Sequence, residues 1–595
     1  MKPELIDNNN GTWTLAGARI IDRAGTRRLP VGDDGFSRSI SRSVLGDKTA
    51  LVADVIDSGS TVTLFCRPRR FGKTLNMTML KSFFEDAPCG DGDASLFVGC
   101  DIWDLDGGRY REFQGKFPVI YLSFRTAKGL DWQTTYGALR NLIIDEYNRH
   151  AYLSESPELL GNEKSFFDRV ASGSANDDDI ADSLLRLAVL LRRPHGERAV
   201  VLIDEYDAPV MAGYSAPCGG YYAEVVSFIK RLRTGVLKDG GEALAFGCLT
   251  GVQRISKESI FSDLNNLTVS TALSKDYEDR FGFTLKEVQA LAAYLGVVAS
   301  IDELRAWYDG YRFGEAEVYN PWSVINYYKN DCVADVYWGN TSGNSVIGSL
   351  VSGADERTLA DVYELMKPGG TVLAPLDLSI VFPDAGLAHG ALWSMLYLAG
   401  YLTTDDVALP NNARIERRLR IPNAEIAELY RKEIVERFAQ MAGGGRGLAA
   451  LHAALAAGDV RVVQRELTRI CERSASSFDL VSENSAHMLV LGLLFGMRGY
   501  GDPTSNREQG LGRFDIRVEP QSTPFFDGRR PLMTVELKYE KGAGDERLAT
   551  LAREALRQIA EKKYDERLPA LAHGRVRWGL AFAGKRVAVA VEVLE

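Results

Sequence analysis

The sequence predicts an α/β chain, with a parallel sheet in its first domain, a helical middle region and a small α/β domain at the C-terminus. Three observations predict it. Near-continuous apolar runs, TVTLFC (61–66), FPVIYLSF (117–124), AVVLIDEYDAP (199–209) and ALAFGCLTGV (243–252), alternate with stretches of helical periodicity, the pattern of strands buried on both faces. From about 285 to 470 the apolar spacing is mostly helical. After about 475 the helix SENSAHMLVLGLLFGM leads to RFDIRVEP, PLMTVELKYE, the helix DERLATLAREALRQIAEKKY and two short strands, an α-β-β-α-β-β order. The expected domains are 20–285, 286–470 and 471–595.

The totals agree with several folded domains. At 595 residues the chain exceeds one ordinary core, and 45% apolar with 25% charged residues is a folded balance. A net charge of −10 argues against coating nucleic acid by bulk electrostatics, though not against a local basic groove. The seven cysteines form no C-x-x-C pair, which suits a reducing cytoplasm. The start, MKPELIDNNNGTW, has no apolar run for a secretion signal. The longest apolar stretch, near Met488–Met497, falls far short of a membrane span and reads as a buried helix. Residues 1–60 read as polar and irregular, WYDGYRFG (307–314) and YNPWS (319–323) as aromatic-rich turns, and GGGRG (443–447) as a linker or loop.

The first run ends in RPRRFGKT and continues into the helical NMTMLKSFFE. A phosphate-binding loop needs this strand–turn–helix unit, whose backbone N–H groups and helix N-terminus face the anion. Gly72 lets the backbone approach phosphate, Lys73 can reach the β- and γ-phosphates, and Thr74 can hold Mg²⁺. The usual first glycine is replaced by Arg67, so the pattern alone is also compatible with a basic loop between strand and helix. The strand running into Asp204 and Glu205 adds the acidic partner. At the C-terminal edge of a parallel sheet, Asp204 would hold Mg²⁺ and Glu205 would orient or deprotonate the attacking water. Thr250 could sense the γ-phosphate, and Arg254 could pair with phosphate in cis or from a neighbouring subunit of a homo-oligomer.

LFCRPRRFGKTLNMTMLKSFFE, VLIDEYDAP and LTGVQRISKESIFSDLNN together resemble the AAA-ATPase-like family of bacterial and archaeal proteins, and WYDGYRFG, YNPWS and WGNTSGN (338–344) are similar to its later segments. The resemblance covers roughly 25–345 and implies a P-loop ATPase fold that binds ATP with Mg²⁺. It implies a nucleotide-binding role for the loop residues Arg67, Arg70, Phe71, Gly72, Lys73 and Thr74, because an arginine in place of the first glycine is usual in that family.

In the C-terminal part, Asp515 lies on RFDIRV, and Glu536 and Lys538 lie two apart on TVELKY, hence on one strand face. Asp515 and Glu536 could hold Mg²⁺ through oxygens, and Lys538 could orient a water toward a phosphodiester. Glu483 on the preceding helix could add a carboxylate and Gln558 on the following helix could position water. By itself E-x-K on a strand is often a surface ion pair. GLLFGMRGY, GRFDIRV, TVELKY, EALRQIAEKKY and GLAFAGKRVAV, however, resemble the PD-(D/E)xK nuclease superfamily, in the branch usually fused behind this ATPase family. IPN (421–423) and LWSMLYLAGYLT (392–403) fit the connecting region of such fusions. That resemblance covers about 390–595 and implies a restriction-endonuclease-like fold in which Asp515, Glu536 and Lys538 match the motif and Glu483 and Gln558 match less closely. Phe514 stands where a proline is usual.

The expected function is an ATP-binding and ATP-hydrolysing protein coupled to a Mg²⁺-dependent nuclease acting on DNA ahead of RNA, with no membrane partner. The alternative is a nucleotide-switched scaffold in which the nuclease fold is catalytically silent.

Overall fold

The computed structural model describes residues 4–32, 35–86, 93–216, 220–238, 240–253, 266–339, 347, 355–378, 389–406, 415–473, 482–522 and 530–594. Two compact units emerge, one of residues 1–341 with 373–425 and one of 342–372 with 426–595. The stretch 286–470, read from sequence as one helical region, is therefore divided between them. Its helices bury their apolar faces against two different cores. Val288 and Leu291 of the helix Leu285–Leu295 pack with Leu15, Ile20 and Val44 in the first unit. In the second, Gln464 donates to the Val587 carbonyl at 2.6 Å and Leu455 accepts from the Trp578 indole at 3.2 Å.

The first unit is built on β1 (Val62–Cys66), α1 (Lys73–Phe84), β2 (Val119–Ser123), β3 (Ala199–Asp204), β4 (Leu244–Gly251) and β5 (Leu267–Ser270). The strand order is β2-β3-β4-β1-β5 and every pairing is parallel. All residues of β1 and β3 are buried, as their unbroken apolar runs require. The edge strand β5 was not expected, since four residues with a half-exposed pattern carry little periodic signal. Residues 1–60, expected to be irregular, instead include an antiparallel sheet of Ile6–Asp7, Thr12–Leu15, Ala18–Ile21 and Leu45–Gly46 in sequential order. Strands of two to four residues are too short to show alternation.

The aromatic-rich segments are also more ordered than turns. Tyr311–Phe313 pairs with Ala316–Val318 as a hairpin, and Asn320 caps the helix Pro321–Lys329, accepting from the Trp322 amide at 3.0 Å. Glu425 draws this region together. It is fully buried, and one carboxylate oxygen accepts the Tyr337 and Trp338 amides, each at 2.7 Å, while the other accepts the Ser323 hydroxyl at 2.8 Å. Burial pushes its carboxyl up to about 7. Beside it, Asn423 donates to the Asp309 carbonyl at 2.7 Å. The chain leaves the first unit after 341 and again after 425, so one carboxylate binds the approaches to two exits.

In the second unit, α2 (Glu483–Leu493) precedes β6 (Thr504–Gln509), β7 (Gly512–Val518), β8 (Arg530–Tyr539), α3 (Asp545–Glu561), β9 (Ala572–Ala583) and β10 (Arg586–Leu594). They form one sheet in sequential order, antiparallel except for the parallel β8–β9 pair that α3 connects. The expected α-β-β-α-β-β thus gains a strand, because β6, TSNREQ, has no apolar alternation to reveal it. Leu548, Leu551, Ala552, Ala555 and Ile559 are the buried face of α3. The helix lies so close that a Cβ at Gly579 of β9 would stand 2.1 Å from the Ala552 carbonyl oxygen. GGGRG is the turn between the helices Ala424–Met441 and Gly445–Ala457, with its last three residues already helical.

Removing the Glu425 carboxylate leaves three donors, two of them buried, without their acceptor. Glu425→Ala is expected to lower unfolding free energy by on the order of 3 kcal/mol, and Glu425→Gln by clearly less, in a denaturant titration of the full chain.

Candidate functional sites

Strand β1 delivers the loop 67–72 to the N-terminus of α1, and Gly72 caps that helix at φ 80°, a backbone that glycine takes without strain. Lys73 is buried, and its ammonium donates to the loop's own carbonyls, Arg67 O at 3.0 Å and Pro68 O at 2.8 Å. Burial lowers its pKa, while the charges of Glu205, Asp207 and Asp204 raise it. Thr74 donates its hydroxyl to Asp204 Oδ2 at 2.8 Å.

Asp204 is the meeting point of the site. It is fully buried at the end of β3 and accepts three hydroxyls, from Thr74, from Ser123 at the end of β2 at 3.2 Å, and from Thr250 on β4 at 2.5 Å. The parallel order places β4 between β1 and β3, which is why Thr250 can reach it. Next to it, the Glu205 amide donates to the Thr250 hydroxyl at 3.2 Å. Burial raises the Glu205 carboxyl, and Lys73 opposes that rise.

Two residues expected at the nucleotide have side chains committed elsewhere. The Arg67 guanidinium is fully buried and donates to the Ser270 carbonyl at 2.9 Å and hydroxyl at 3.1 Å, tying β1 to β5. Desolvation lowers its pKa to about 10. Phe71 is buried against Tyr311 and Phe313, with ring centroids 4.9 and 5.1 Å away. What these two can offer a ligand is backbone. The Arg70 guanidinium lies 4.2 Å over the Trp322 ring. Arg254 lies outside the described residues. Ser123 and Asp207 were not singled out from sequence. Ser123 had one signal, a hydroxyl at the C-terminal end of a buried strand.

The second site lies on the sheet of the other unit. The register Ile516↔Val535 and Arg517↔Thr534, continued by one residue, sets Asp515 opposite Glu536. Asp515 Oδ2 accepts the Leu537 amide at 2.8 Å, and Lys538 Nζ stands 3.9 Å from Glu536 Oε1. From α3, Gln558 donates its amide to the same Oε1. Burial pushes Asp515 up to about 6, with the charge of Glu483 adding and the Leu537 amide and Lys538 opposing. Burial, then the charge of Asp515, pushes Glu536 up to about 8. Glu483 is exposed in the first turn of α2, near enough for its charge to act on both.

Among the described residues no three Asp, Glu, His or Cys side chains form a ready-made metal cage. The pair nonetheless suits a hard cation that keeps part of its water shell, because Glu536 Oε2 is buried with no hydrogen-bond partner and the charge of Asp515 raises the Glu536 carboxyl. At the first site, the Thr74 hydroxyl beside Asp204 is an equally oxygen-rich pair.

Comparison with known proteins agrees with both descriptions. Residues 30–261 match the family described as predicted AAA-ATPase, and residues 481–592 match the PD-(D/E)XK nuclease superfamily. The chain joins an AAA-ATPase-like domain to a PD-(D/E)XK nuclease superfamily domain. An uncharacterized protein in the vnfD 5′ region of Azotobacter chroococcum is 27% identical over 417 residues, covering 69% of this chain and 70% of that protein. A solved Walker-type ATPase of Pyrococcus abyssi is similar at TM-score 0.32 and 13% identity over 64% of this chain and 95% of its own, a likeness too loose to carry an argument.

Lys73→Ala is expected to weaken ATP binding measured by calorimetry without unfolding the chain. Glu205→Gln is expected to keep ATP bound while turnover falls by ~10²-fold or more. At the second site the raised carboxyls bind protons in the folded state that the unfolded chain has already lost, so stability falls as pH rises toward 8. In metal-free protein, Glu536→Gln should therefore raise the thermal midpoint at pH 8 and change it far less at pH 5.

Proposed function

We propose that the chain binds and hydrolyses ATP at the P-loop site and cleaves nucleic-acid phosphodiesters at the Asp515–Glu536–Lys538 site, DNA ahead of RNA, with Mg²⁺ serving both. The observation that carries the nuclease reading is the convergence of Asp515, Glu536, Lys538 and Gln558 from two adjacent strands and the crossover helix, with one carboxylate oxygen left without a donor. A surface ion pair needs no such buried second carboxylate.

At the P-loop, Gly72 leaves room for the loop amides to meet phosphate, and Lys73 would exchange the carbonyls of Arg67 and Pro68 for the β- and γ-phosphates. Thr74 and Asp204 would hold Mg²⁺, and Glu205 would accept a proton from the attacking water, a task helped by its raised pKa. At the second site Asp515 and Glu536 would hold the cation, which when bound supplies charge neutralisation at the phosphate and a more acidic water. Lys538 orients the nucleophile and stabilises charge on the phosphate, and Gln558 fixes the Glu536 carboxylate.

ATP is proposed to regulate cleavage. Arg70 of the loop stacks on Trp322, the Trp322 indole donates to the Tyr337 carbonyl at 3.1 Å, and Ser323 and Tyr337 both bind Glu425 at the chain's exit from the first unit. A loop rearranged around phosphate would disturb that set. Among the described residues, Cys66, Cys100, Cys248, Cys332 and Cys471 form no disulfide, which suits the cytoplasm. Among the described residues no helix is long and apolar enough to cross a membrane. A homo-oligomer would let Arg254 act on a neighbour's nucleotide.

Asp515→Ala is expected to abolish both metal-stimulated cleavage and tight Mn²⁺ binding. Lys538→Ala should lower cleavage by ~10²–10⁴-fold while Mn²⁺ still binds. Wild-type protein that cuts nothing and binds no Mn²⁺ through Asp515 would leave the nucleotide-switched scaffold as the function.

A further inference from the structure

Beyond Asp204, the chain turns through Glu205, Tyr206 and Asp207 before its next helix. Glu205 has φ 50°, a left-handed backbone that a non-glycine residue holds only when its surroundings enforce it. The enforcement comes from the exit of β4. The Glu205 amide donates to the Thr250 hydroxyl at 3.2 Å, and the Tyr206 amide to the Thr250 carbonyl at 3.0 Å. The Tyr206 hydroxyl likewise donates to the Gln253 carbonyl at 2.7 Å, and in the opposite direction the amides of Val252 and Gln253 donate to Asp207 Oδ2 at 2.8 and 3.1 Å. The two exits lie so close that a Cβ on Gly251 would stand 2.6 Å from the Tyr206 ring and 3.1 Å from Asp207 Cγ.

Asp207 is 3% exposed. Burying a carboxylate there is unfavourable, and what offsets it is one oxygen taking two backbone amides from a strand exit that would otherwise leave them unpaired. We propose that Asp207 is a positioning residue for ATP hydrolysis: it latches the exits of β3 and β4 together and so holds Glu205 in the strained backbone that aims its carboxylate at the attacking water. The inference rests on the catalytic reading of Glu205 given above.

The test uses the full chain. Nucleotide affinity is read by calorimetry, turnover by steady-state ATP hydrolysis, and the latch by hydrogen exchange at the Val252 and Gln253 amides. Asp207→Ala is expected to lower kcat by on the order of 10²-fold with ATP affinity within about threefold of wild type, and to speed exchange at both amides. Asp207→Asn keeps a carbonyl oxygen for those amides and should restore most of kcat and the slow exchange. Gly251→Ala, which leaves Asp207 intact but forces the exits apart, should reproduce the kcat loss, and it serves if Asp207→Ala does not fold. The proposal is overturned if Asp207→Ala keeps wild-type kcat, if affinity and kcat fall together, or if Asp207→Asn is as slow as Asp207→Ala. Should wild-type protein hydrolyse no ATP, the reading of Glu205 fails, and the exchange rates still decide the latch: unchanged exchange in Asp207→Ala overturns it.

Discussion

A carboxylate buried within a sheet or at its edge loses its hydration and must find donors in the protein or in a ligand. Both candidate sites are answers to that constraint, and the answers differ. Asp204 is satisfied within the fold: three hydroxyls, from α1, β2 and β4, surround it. The fold itself supplies its donors, and its charge acts on the neighbouring Lys73 and Glu205. Asp515 and Glu536 are not satisfied in this way. Each is pushed upward by burial, Glu536 further by its neighbour's charge, and one Glu536 oxygen has no donor at all. The fold gives these two groups a stronger preference for protons, and a divalent cation is the simplest species that would take the protons' place at both.

The parallel order β2-β3-β4-β1-β5 explains why the first site can be assembled at all. Putting β4 between the strand of the loop and the strand of the acids brings Thr250 to Asp204 and the β4 exit to Asp207. The same packing explains the loop's unusual composition. Arg67 and Phe71 stand where a phosphate loop ordinarily needs little side chain, and both are turned into the core, onto Ser270 and onto Tyr311 and Phe313. The loop is thereby fastened to segments that follow it by some two hundred residues. In the second unit the corresponding device is Gly579, whose missing side chain lets α3 approach the sheet and bring Gln558 to Glu536.

How much of this was legible in the sequence follows from the range of each interaction. The strand–GKT–helix unit, the acids at the end of β3 and the E-x-K pair on β8 are local patterns, and each emerged where periodicity and spacing placed it. The strands of residues 1–60 and β6 did not, because strands of two to four residues, or strands made of polar residues, have no readable alternation. Ser123 and Asp207 acquire their roles from residues 81 and about 45 positions away; Ser123 has only its place at the end of a buried strand to signal it. Arg67 shows the converse: its position in the motif suggested phosphate, and only the tertiary contact with β5 shows where its guanidinium goes. Glu425, at the head of a helix of mixed polarity, gave no hint of accepting three donors.

These observations describe a chain whose strand–GKT–helix loop and whose exits from the first unit share one set of contacts, and whose second unit sets two carboxylates side by side on one sheet. The most direct measurement is incubation of the purified full-length protein with plasmid, linear and single-stranded DNA and with RNA, in Mg²⁺ or Mn²⁺, with and without ATP. The account predicts cleavage that requires the divalent cation and whose rate changes when ATP is added. Intact nucleic acid under every condition, from protein that also fails to bind Mn²⁺, would contradict it.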